Sequence, residues 1–446
     1  MKIALISMNG IRANDKELLR LGLNLPGFVE RSRAIASLPS LGLLTLAALT
    51  PDCHEQTYME VPDLSQLDET PTGYDLAAIS SFSAQIEEAY QLADRLRLAG
   101  TKVVMGGNHV SSETEEALNH ADCVMIGEGE VFWQNMLEDA ESGNLRETYG
   151  SMFGNFDLQN APLPKYDLLQ PEKYNRVTVQ TSRGCPLRCE FCASSVLYTR
   201  RYKQKPKELV IAEIQQLKRM FKRPFVEFVD DNTFVDRRYW KTLLPELENE
   251  SIRWFAETDV SVADDPELLE AMKNAGCKQV LIGFESPVEE GLGGLELNSN
   301  WKAKRWQTYK NAIKRIQAHG IRVIACFMVG LDGQTTQIFD AILQFVREAC
   351  PFDVQITVPT AFPGTPYYRR LLAEDRLIER RNWSACTLFD VNFRPTNMSS
   401  DELTKGFRRL GVEMYSDEMT NYRRDGFYGQ WKDNIVRRRR AKREAI

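Results

Sequence analysis

Three cysteines lie close together in the run Thr-Ser-Arg-Gly-Cys-Pro-Leu-Arg-Cys-Glu-Phe-Cys, where Cys185, Cys189 and Cys192 have the spacing Cys-x3-Cys-x2-Cys. Thiolates at this spacing can hold three corners of a four-iron, four-sulfur cube, which otherwise takes four cysteines. One iron is then left open, and an open metal position serves chemistry rather than fold stability. The run therefore predicts an iron–sulfur cluster with one reactive iron.

Other uses of these cysteines fit the sequence less well. A structural zinc site takes four ligands, commonly two Cys-x2-Cys halves or a mixture of Cys and His. The sequence has no second Cys-x2-Cys, and its other cysteines are scattered singly, at positions 53, 123, 277, 326, 350 and 386. Disulfides are not expected, because nine is an odd count and no secretory segment precedes the chain.

The cysteine spacing, with Phe191 just before the third cysteine, resembles the cluster loop of the radical S-adenosylmethionine (SAM) enzymes. The resemblance implies that SAM chelates the open iron through its amino and carboxylate groups. Reduction of the sulfonium then releases a 5′-deoxyadenosyl radical. It also implies an electron donor such as flavodoxin or ferredoxin.

The same resemblance implies further SAM contacts at the ends of predicted strands. Glu285, in Gly-Phe-Glu-Ser, would bind the ribose hydroxyls, and Gly330 would let the backbone approach the adenine. Asp230 and Asp231, followed by Asn232, stand where the family often has Gly-Gly-Glu. These side chains are candidates for the methionine ammonium or the substrate, and the alternative is a strand-end cap.

Residues 1–142 alternate short apolar runs with helical periodicity, which predicts a doubly wound, Rossmann-like α/β domain. Its ligand would bind at the carboxyl ends of the parallel strands. The segment Gly10–Arg33 fits neither pattern and is predicted to be a long excursion over that edge. The predicted strands are Lys2–Ser7, Gln56–Val61, Leu76–Ser80, Lys102–Met105 and Cys123–Ile126, and the predicted helices are Leu41–Leu49, Ile86–Leu98, Ser112–Asn119 and Val131–Glu141.

Residues 143–175, with Pro162, Pro164 and Pro171, are predicted to be a linker. Residues 176–365 resume the alternation and predict a partial (β/α)6 barrel, with the cysteines directly after its first strand, at the active end. Residues 366–446 are predicted to be mostly helical. The barrel strands are predicted at Val177–Thr181, Phe225–Val229, Trp254–Thr258, Gln279–Gly283, Val323–Met328 and Val354–Val358, with helices at Pro206–Phe221, Arg237–Glu248, Pro266–Ala275, Ala303–His319 and Thr335–Ala349.

An open α/β domain ahead of such a barrel is similar to the cobalamin-binding subfamily of radical SAM enzymes. The motifs that carry this resemblance are Pro-Ser-Leu-Gly-Leu at the first helix, a serine pair ending one strand, Gly-Gly-Asn-His ending the next, and Gly-Glu-Gly-Glu after the fifth. The resemblance implies that the corrin contacts come from Leu41, Gly42, Ser80, Ser81, Gly106, Gly107, His109, Gly127, Glu128 and Gly129.

The sequence departs from cobalamin proteins that carry Asp-x-His-x-x-Gly, whose histidine ligates cobalt. Counting back from Gly42, the equivalent positions hold Ser37 and Pro39, so no histidine is available there. Radical SAM methylases of the subfamily usually lack this motif as well. The missing motif therefore does not exclude cobalamin. The reaction that we favour from the resemblance is methylation of an unactivated carbon of a small molecule, with SAM and cobalamin as cofactors.

Three other functions stay open at this stage. Members of the same subfamily also cyclise, oxidise or rearrange their substrates. A tRNA methylthiotransferase would need three further N-terminal cysteines, but only Cys53 and Cys123 precede the barrel. A cobalamin sensor without catalysis would not need the three-cysteine loop together with Glu285.

Composition narrows the partners. With 446 residues, 43% hydrophobic, 26% charged and a net charge of −6, the chain is typical of a globular protein. It has no overall basic field for nucleic acid and no run of about 18 apolar residues to span a membrane. An oxygen-sensitive cluster and reduced thiols predict a cytoplasmic location. The basic run 437–443 is predicted to be a solvated helix end, with a handle for an acidic partner or membrane surface as the alternative.

Overall fold

The computed structural model describes residues 1–20, 38–152, 156–193 and 202–444, and their side chains except at 19, 20 and 437–444. The chain packs as two compact units. The first comprises Met1–Asn14, Arg33–Pro224 and Thr360–Asn392. The second comprises Asp15–Ser32, Phe225–Pro359 and Phe393–Ile446.

The first unit is built on a parallel sheet of six strands in the order β2-β1-β3-β4-β5-β6. Its first strand is buried on both faces, because Ile3 and Leu5 enter one apolar core while Ala4 and Ile6 enter the other. This is the doubly wound arrangement predicted from the sequence. The strands are β1 (Lys2–Met8), β2 (Glu55–Glu60), β3 (Leu76–Ser81), β4 (Lys102–Gly106), β5 (Cys123–Gly127) and β6 (Thr148–Ser151).

The helices of this unit cover both faces of the sheet. The predicted helices Leu41–Leu49 and Ile86–Leu98 have the predicted bounds, and the predicted helix Ser112–Asn119 is observed over the shorter range Thr114–Leu118, with another short helix, Asn108–Ser112, before it. The backbone leaves the helical region at Glu113 (φ −119°, ψ 51°), which divides the segment into two short helices. The helices are α1 (Leu41–Leu49), α2 (Ile86–Leu98), α3 (Asn108–Ser112), α4 (Thr114–Leu118) and α5 (Trp133–Glu141).

Strand β6 lies in the stretch that the sequence predicted to be a linker. It pairs in parallel with β5, from Val124↔Thr148 to Gly127↔Ser151. A four-residue strand gives no alternation long enough to recognise in the sequence. Part of the predicted excursion Gly10–Arg33 lies outside the described residues.

The first unit also contains the elements around the cysteine run. Strand β7 (Val177–Val179) is the first predicted barrel strand, and α6 (Lys207–Met220) is the predicted helix that follows the cysteines. Between them, the antiparallel strands β8 (Ser182–Arg183) and β9 (Lys203–Gln204) form a small hairpin.

The second unit holds the other five predicted barrel strands as parallel neighbours in the order β14-β13-β12-β11-β10. They are β10 (Phe225–Phe228), β11 (Arg253–Thr258), β12 (Cys277–Glu285), β13 (Arg322–Met328) and β14 (Asp353–Thr357). The helices between them are α7 (Arg237–Glu250), α8 (Pro266–Asn274), α9 (Tyr309–Ala318) and α10 (Gln337–Ala349).

The remaining helices confirm that the end of the chain is helical. Helix α11 (Pro366–Ala373) belongs to the first unit, whereas α12 (Ser400–Met414) and α13 (Asp417–Glu444) belong to the second. Ser399 and Glu402 form a reciprocal capping box that starts α12. Within the described part of the chain, no helix is both long and apolar enough to cross a membrane.

Candidate active site

The cysteine loop, residues Gly184–Cys192, follows β8 in the first unit. Cys189 is buried, whereas Cys185, Cys192 and Phe191 are half-buried. The backbone turns here, with the amide of Cys192 donating to the carbonyl of Cys189 at 3.1 Å. No disulfide links any of the nine cysteines in the structure.

The middle of the cysteine loop is anchored by α11. Arg370 donates from Nη2 to Oε1 of Glu190 at 2.6 Å and from Nε to Oε2 at 3.1 Å. The amide of Tyr367 donates to the carbonyl of Glu190 at 3.0 Å. A bidentate arginine–carboxylate pair fixes both position and orientation, so the residue between Cys189 and Phe191 is held from the side of α11. Arg370 has no sequence signal, because it is separated from Glu190 by 180 positions.

One buried carboxylate, that of Glu128, bonds cations on both sides of the cysteine loop: Arg183 on β8 and Lys203 on β9. Glu128 accepts from Arg183 Nη1 at 2.6 Å and from Lys203 Nζ at 2.7 Å, and its side chain is 2% exposed. Burial alone would raise the pKa of Glu128, but hydrogen bonds from Lys203 and Arg183 hold it below its ordinary value. The sequence assigned Glu128 to the corrin, and the structure adds that cations of its own chain bond both of its carboxylate oxygens.

In the second unit, Glu285 ends β12 in a strained conformation. Its φ is +64°, in the left-handed region that a non-glycine residue rarely adopts, and the register with β13 shifts between Gly283 and Glu285. Backbone strain of this kind costs roughly 1–3 kcal/mol and tends to occur at functional sites.

Lys302 holds the Glu285 carboxylate in place, and the glycine at position 283 leaves the space that the carboxylate occupies. Lys302 Nζ donates to Glu285 Oε1 at 2.8 Å and to the Gly283 carbonyl at 2.7 Å. A Cβ on Gly283 would lie 2.5 Å from Glu285 Oε1. The side chains of Glu285 and Lys302 are 9% and 7% exposed, so this is a buried ion pair. Sequence reasoning missed Lys302, which lies outside any motif.

The acidic run after β10 is partly structural. Asn232 Nδ2 donates to Asp259 Oδ2 at 2.8 Å, which ties the end of β10 to the end of β11. Asp230 is buried and Asp231 is half-buried. Asn232 therefore has the strand-end role that the sequence left as an alternative, while both aspartates remain candidates for SAM or substrate.

Gly330, two residues beyond β13, has a packing role that the sequence did not indicate. Its φ is +96°, and an added Cβ would lie 2.6 Å from Leu403 Cδ2 and 3.1 Å from Phe393 Cζ. The C-terminal helix α12 thus needs a glycine here whether or not an adenine binds.

Small residues line the carboxyl edge of the first unit's sheet. Ser80 on β3 is the register partner of Gly106 on β4. A Cβ on Gly107, where φ is +118°, would meet only Ser81 O at 3.6 Å and Ser80 Oγ at 3.7 Å. At the start of α1, Leu41 is half-buried and Gly42 is exposed with no atom within 4 Å of an added Cβ. A flat cofactor could lie against this edge without displacing side chains.

Three other residues that were predicted to contact the corrin pack against neighbouring residues of the first unit. His109 is buried, with Nδ1 3.0 Å from Ser83 Oγ, Nε2 3.4 Å from Glu116 and its ring 5.0 Å from that of Trp383, which argues against a contact with a nucleotide tail. Gly127 has φ +76°, and a Cβ there would lie 2.2 Å from Ser151 O, so the approach of β6 explains this glycine. Gly129 would meet Met125 Cγ at 3.2 Å.

Glu60, a half-buried acid at the carboxyl end of β2, was also missed. Glu60 Oε1 accepts from Tyr58 OH at 3.0 Å and from Tyr174 OH at 2.9 Å, and Tyr58 OH accepts from the Ser40 amide at 2.8 Å. Burial raises the pKa of Glu60 above 4.5.

The donor sets of the described residues fit the cofactors that the sequence predicted. Within the described residues, no three His, Cys, Asp or Glu side chains already converge as metal ligands. The cysteine loop nevertheless offers three soft thiol ligands within eight positions, which are the ligands that iron–sulfur clusters take. The edge formed by Ser80, Ser81, Gly106 and Gly107 leaves the open surface that a corrin needs.

Three family models match this chain. Residues 179–346 match the Radical SAM superfamily, residues 36–135 match the B12 binding domain, and residues 365–445 match a domain of unknown function (DUF4070). The first two matches contain the cysteine loop and the small-residue edge.

Curated relatives with similar sequences include methyltransferases and, at 24% identity, anaerobic magnesium-protoporphyrin IX monomethyl ester cyclases. The chain is 27% identical over 398 residues to bacteriochlorophyllide d C-12(1)-methyltransferase of Chlorobaculum tepidum, covering 88% of this chain and 86% of that protein. It is 30% identical over 376 residues to an uncharacterised methyltransferase of Synechocystis sp., covering 82% of this chain and 68% of the relative.

Among solved structures, the fold is similar to that of the radical SAM methyltransferase TsrM from Kitasatospora setae with tryptophan substrate and a SAM analogue bound. The TM-score is 0.65 at 13% identity, and the match covers 100% of both chains. At this identity the likeness establishes the fold, which is the predicted α/β architecture.

Proposed function

This chain belongs to the radical SAM superfamily, in the group that also carries a B12-binding domain, and from that premise we propose that it methylates an unactivated carbon of a small molecule. It is an enzyme that uses a 4Fe–4S cluster, SAM and cobalamin. The observation that carries the proposal is that one chain contains both the three-cysteine loop and a domain of the B12-binding family. The curated relatives of this sequence include methyltransferases.

Cys185, Cys189 and Cys192 would hold the cluster. Three protein thiolates on four irons leave one iron for an external ligand. When bound, these cofactors supply the reductive cleavage of SAM and the transfer of a methyl group, and this chemistry is their own. The protein binds and orients them and excludes water. The anchoring of Glu190 by Arg370 supports a loop that is held in place before any cluster binds.

Glu285 and Lys302 would bind SAM in the second unit. Lys302 bonds Oε1 of Glu285, and among the described residues Oε2 makes no hydrogen bond. A carboxylate oxygen can accept from a ribose hydroxyl in a strong, charge-assisted bond. The lysine, which also donates to the Gly283 carbonyl, holds Oε1 of the carboxylate in place. Asp230 or Asp231 is the proposed acceptor for the methionine ammonium of SAM.

Leu41, Gly42, Ser80, Ser81, Gly106 and Gly107 are the residues of the first unit that would face the corrin. Backbone and hydroxyl groups at the carboxyl edge of a parallel sheet are suited to a large, polar-edged ligand. Pro39, which lies just before α1, would offer a bound cobalamin no nitrogen ligand, so these residues would hold the corrin without a histidine from this position.

The partners follow from this chemistry. The substrate is proposed to be a small molecule, and the cluster needs a one-electron donor such as flavodoxin or ferredoxin. A cytoplasmic location suits an oxygen-sensitive cluster and reduced thiols.

Isotope labelling in cells tests the proposal without knowledge of the substrate. Cells that express the chain without oxygen are fed methionine carrying a CD3 group, and their small-molecule extracts are compared with extracts from cells that express Cys189→Ala. Methylation predicts a product that is present only with the unaltered chain. This product should contain three deuterium atoms and so be about 3 Da heavier than the same product carrying a CH3 group. A new compound without label, formed only with the unaltered chain, would instead indicate cyclisation or rearrangement and overturn the proposal.

A further inference from the structure

Glu128 is a buried carboxylate with four hydrogen bonds from its own chain. Oε1 accepts from Arg183 Nη1 at 2.6 Å and from Lys203 Nζ at 2.9 Å. Oε2 accepts from Lys203 Nζ at 2.7 Å and from the Phe156 amide at 2.9 Å. Its side chain is 2% exposed. Each oxygen therefore has two donors, which is enough to fix the carboxylate in one orientation.

The two cations, Arg183 and Lys203, flank the cysteine loop in the sequence. Arg183 lies two positions before Cys185, and Lys203 lies eleven positions after Cys192. They are register partners in the β8–β9 hairpin, so the hairpin closes the segment that carries all three cysteines. Glu128 itself follows β5 directly, at the carboxyl edge of the sheet that matches the B12 binding domain.

The charges of this cluster balance only when Glu128 is present. Arg183 also donates to Glu130 Oε1 at 2.8 Å, which makes two cations and two carboxylates. Like charges that face each other across a strand pair repel, and an unpartnered charge in a buried place is costly. Without Glu128, the side chain of Lys203 would lose its carboxylate, and of these ion pairs only the one between Arg183 and Glu130 would remain on the hairpin.

We propose that Glu128 is a positioning residue that holds the iron–sulfur loop at a fixed place against the carboxyl edge of the cobalamin-binding sheet. This inference rests on the proposed function, because it assumes that the loop carries a cluster and the edge a corrin. In this proposal Glu128 acts through Arg183 and Lys203, and not through a direct contact with either cofactor. Its effect is geometric, and a shift of about 1 Å in a reacting group can cost on the order of 100-fold in rate.

The first test uses the protein before cofactors are added. Hydrogen exchange is measured by mass spectrometry on peptides that cover Ser182–Cys192, in the unaltered chain and in Glu128→Gln. Glutamine keeps the shape and removes the charge. We expect exchange in these peptides to become at least about 10-fold faster, because opening of the hairpin is no longer resisted by the ion pairs.

A second readout separates positioning from general stability. The proteins are reconstituted with iron and sulfide, reduced, and examined by electron paramagnetic resonance with and without SAM. Glu128→Gln is expected to bind the cluster through its intact cysteines but to give an altered spectral change on adding SAM. Glu116→Gln is the matched control, because it removes a carboxylate of the same unit that contacts His109, Tyr90 and Trp383. This control is expected to leave the spectrum unchanged.

Lys203→Gln keeps the inference testable if Glu128→Gln does not fold, since it removes two of the four bonds and leaves the Arg183 pair. Faster exchange in Ser182–Cys192 together with an altered spectrum supports the inference. Unchanged exchange and an unchanged spectrum in a folded variant overturn it. If the unaltered chain gives no spectral change with SAM, the proposed function fails, and the exchange result alone then decides whether Glu128 holds the loop.

Discussion

At the scale of single residues, the SAM site depends on how Glu285 is held. Its φ of +64° is unfavourable for a side chain larger than glycine, and the buried bond to Lys302 offsets part of that cost. The missing side chain at Gly283 provides the space that the carboxylate occupies. A strained residue, a glycine and a lysine together keep one carboxylate at the end of β12.

A methyl group at position 283 would displace that carboxylate. In Gly283→Ala the new Cβ would lie 2.5 Å from Glu285 Oε1, which is the end of a side chain that can move while the backbone stays in place. The fold is therefore expected to persist while the affinity for SAM falls roughly 10- to 100-fold, the value of one or two lost bonds to a charged group. Equilibrium dialysis of SAM against the reconstituted protein measures this.

Gly293→Ala is the control for this change, because no atom lies within 4 Å of the Cβ it adds. It should bind SAM as the unaltered chain does. Equal SAM affinity in Gly283→Ala, the control and the unaltered chain would contradict the role given to Glu285.

Site residues that belong to a short contiguous motif could be predicted from the sequence. Site residues whose contacts are with residues distant in the sequence could not. The cysteine run and the Gly-Phe-Glu-Ser motif are contiguous, so their chemistry could be inferred from spacing. Lys302 and Arg370 are 17 and 180 positions from their carboxylate partners, and no local pattern marks them. His109 lies in a glycine-rich strand end that resembles a cofactor site, but the chain folds back to bury its ring against Trp383.

At the scale of elements, the apolar periodicity of strands and helices was sufficient to predict most of the fold. Helices α1 and α2 have the bounds that the sequence predicted, and each strand of the first five differs by one or two residues. Strand β6 was missed because its pairing with β5 depends on Gly127 and Gly150, whose added Cβ atoms would lie 2.2 Å from carbonyl oxygens of the partner strand. That requirement is a property of the pair and is not visible in either strand alone.

The C-terminal helices offer a pair of glycine substitutions with opposite expected effects. In Gly406→Ala on α12, the new Cβ would lie 2.0 Å from Phe339 Cε2, and Phe339 is buried on α10. We expect this overpacking to lower the free energy of unfolding by about 1–3 kcal/mol. Gly429→Ala on α13 adds a Cβ with no atom within 4 Å. Because alanine has the better helix propensity, this change should raise the free energy of unfolding by about 0.5–1 kcal/mol.

Chemical denaturation of the two variants, followed by far-ultraviolet circular dichroism, measures this difference. Each variant serves as the control for the other, because both make the same chemical change in the same helical region. Equal stabilities would show that α12 does not pack on α10 as described.

At the scale of the whole molecule, the compact units do not follow the order of the chain. Thr360–Asn392 packs with the N-terminal sheet, and Trp383 enters its core and donates to Glu116 at 3.0 Å. The sequence predicted consecutive domains because periodicity identifies elements and not the long-range contacts between them. The cysteine loop belongs to the same unit as the B12-binding sheet, whereas Glu285 belongs to the other unit.

The central claim is that the cysteine loop holds a cluster that cleaves SAM. Its most direct measurement is the amount of 5′-deoxyadenosine formed when the protein, reconstituted without oxygen and reduced with dithionite, is incubated with SAM. The unaltered chain is predicted to form 5′-deoxyadenosine, and Cys189→Ala is predicted to form none above background. Failure of the iron-loaded unaltered chain to form it, or equal amounts from both proteins, would contradict the claim.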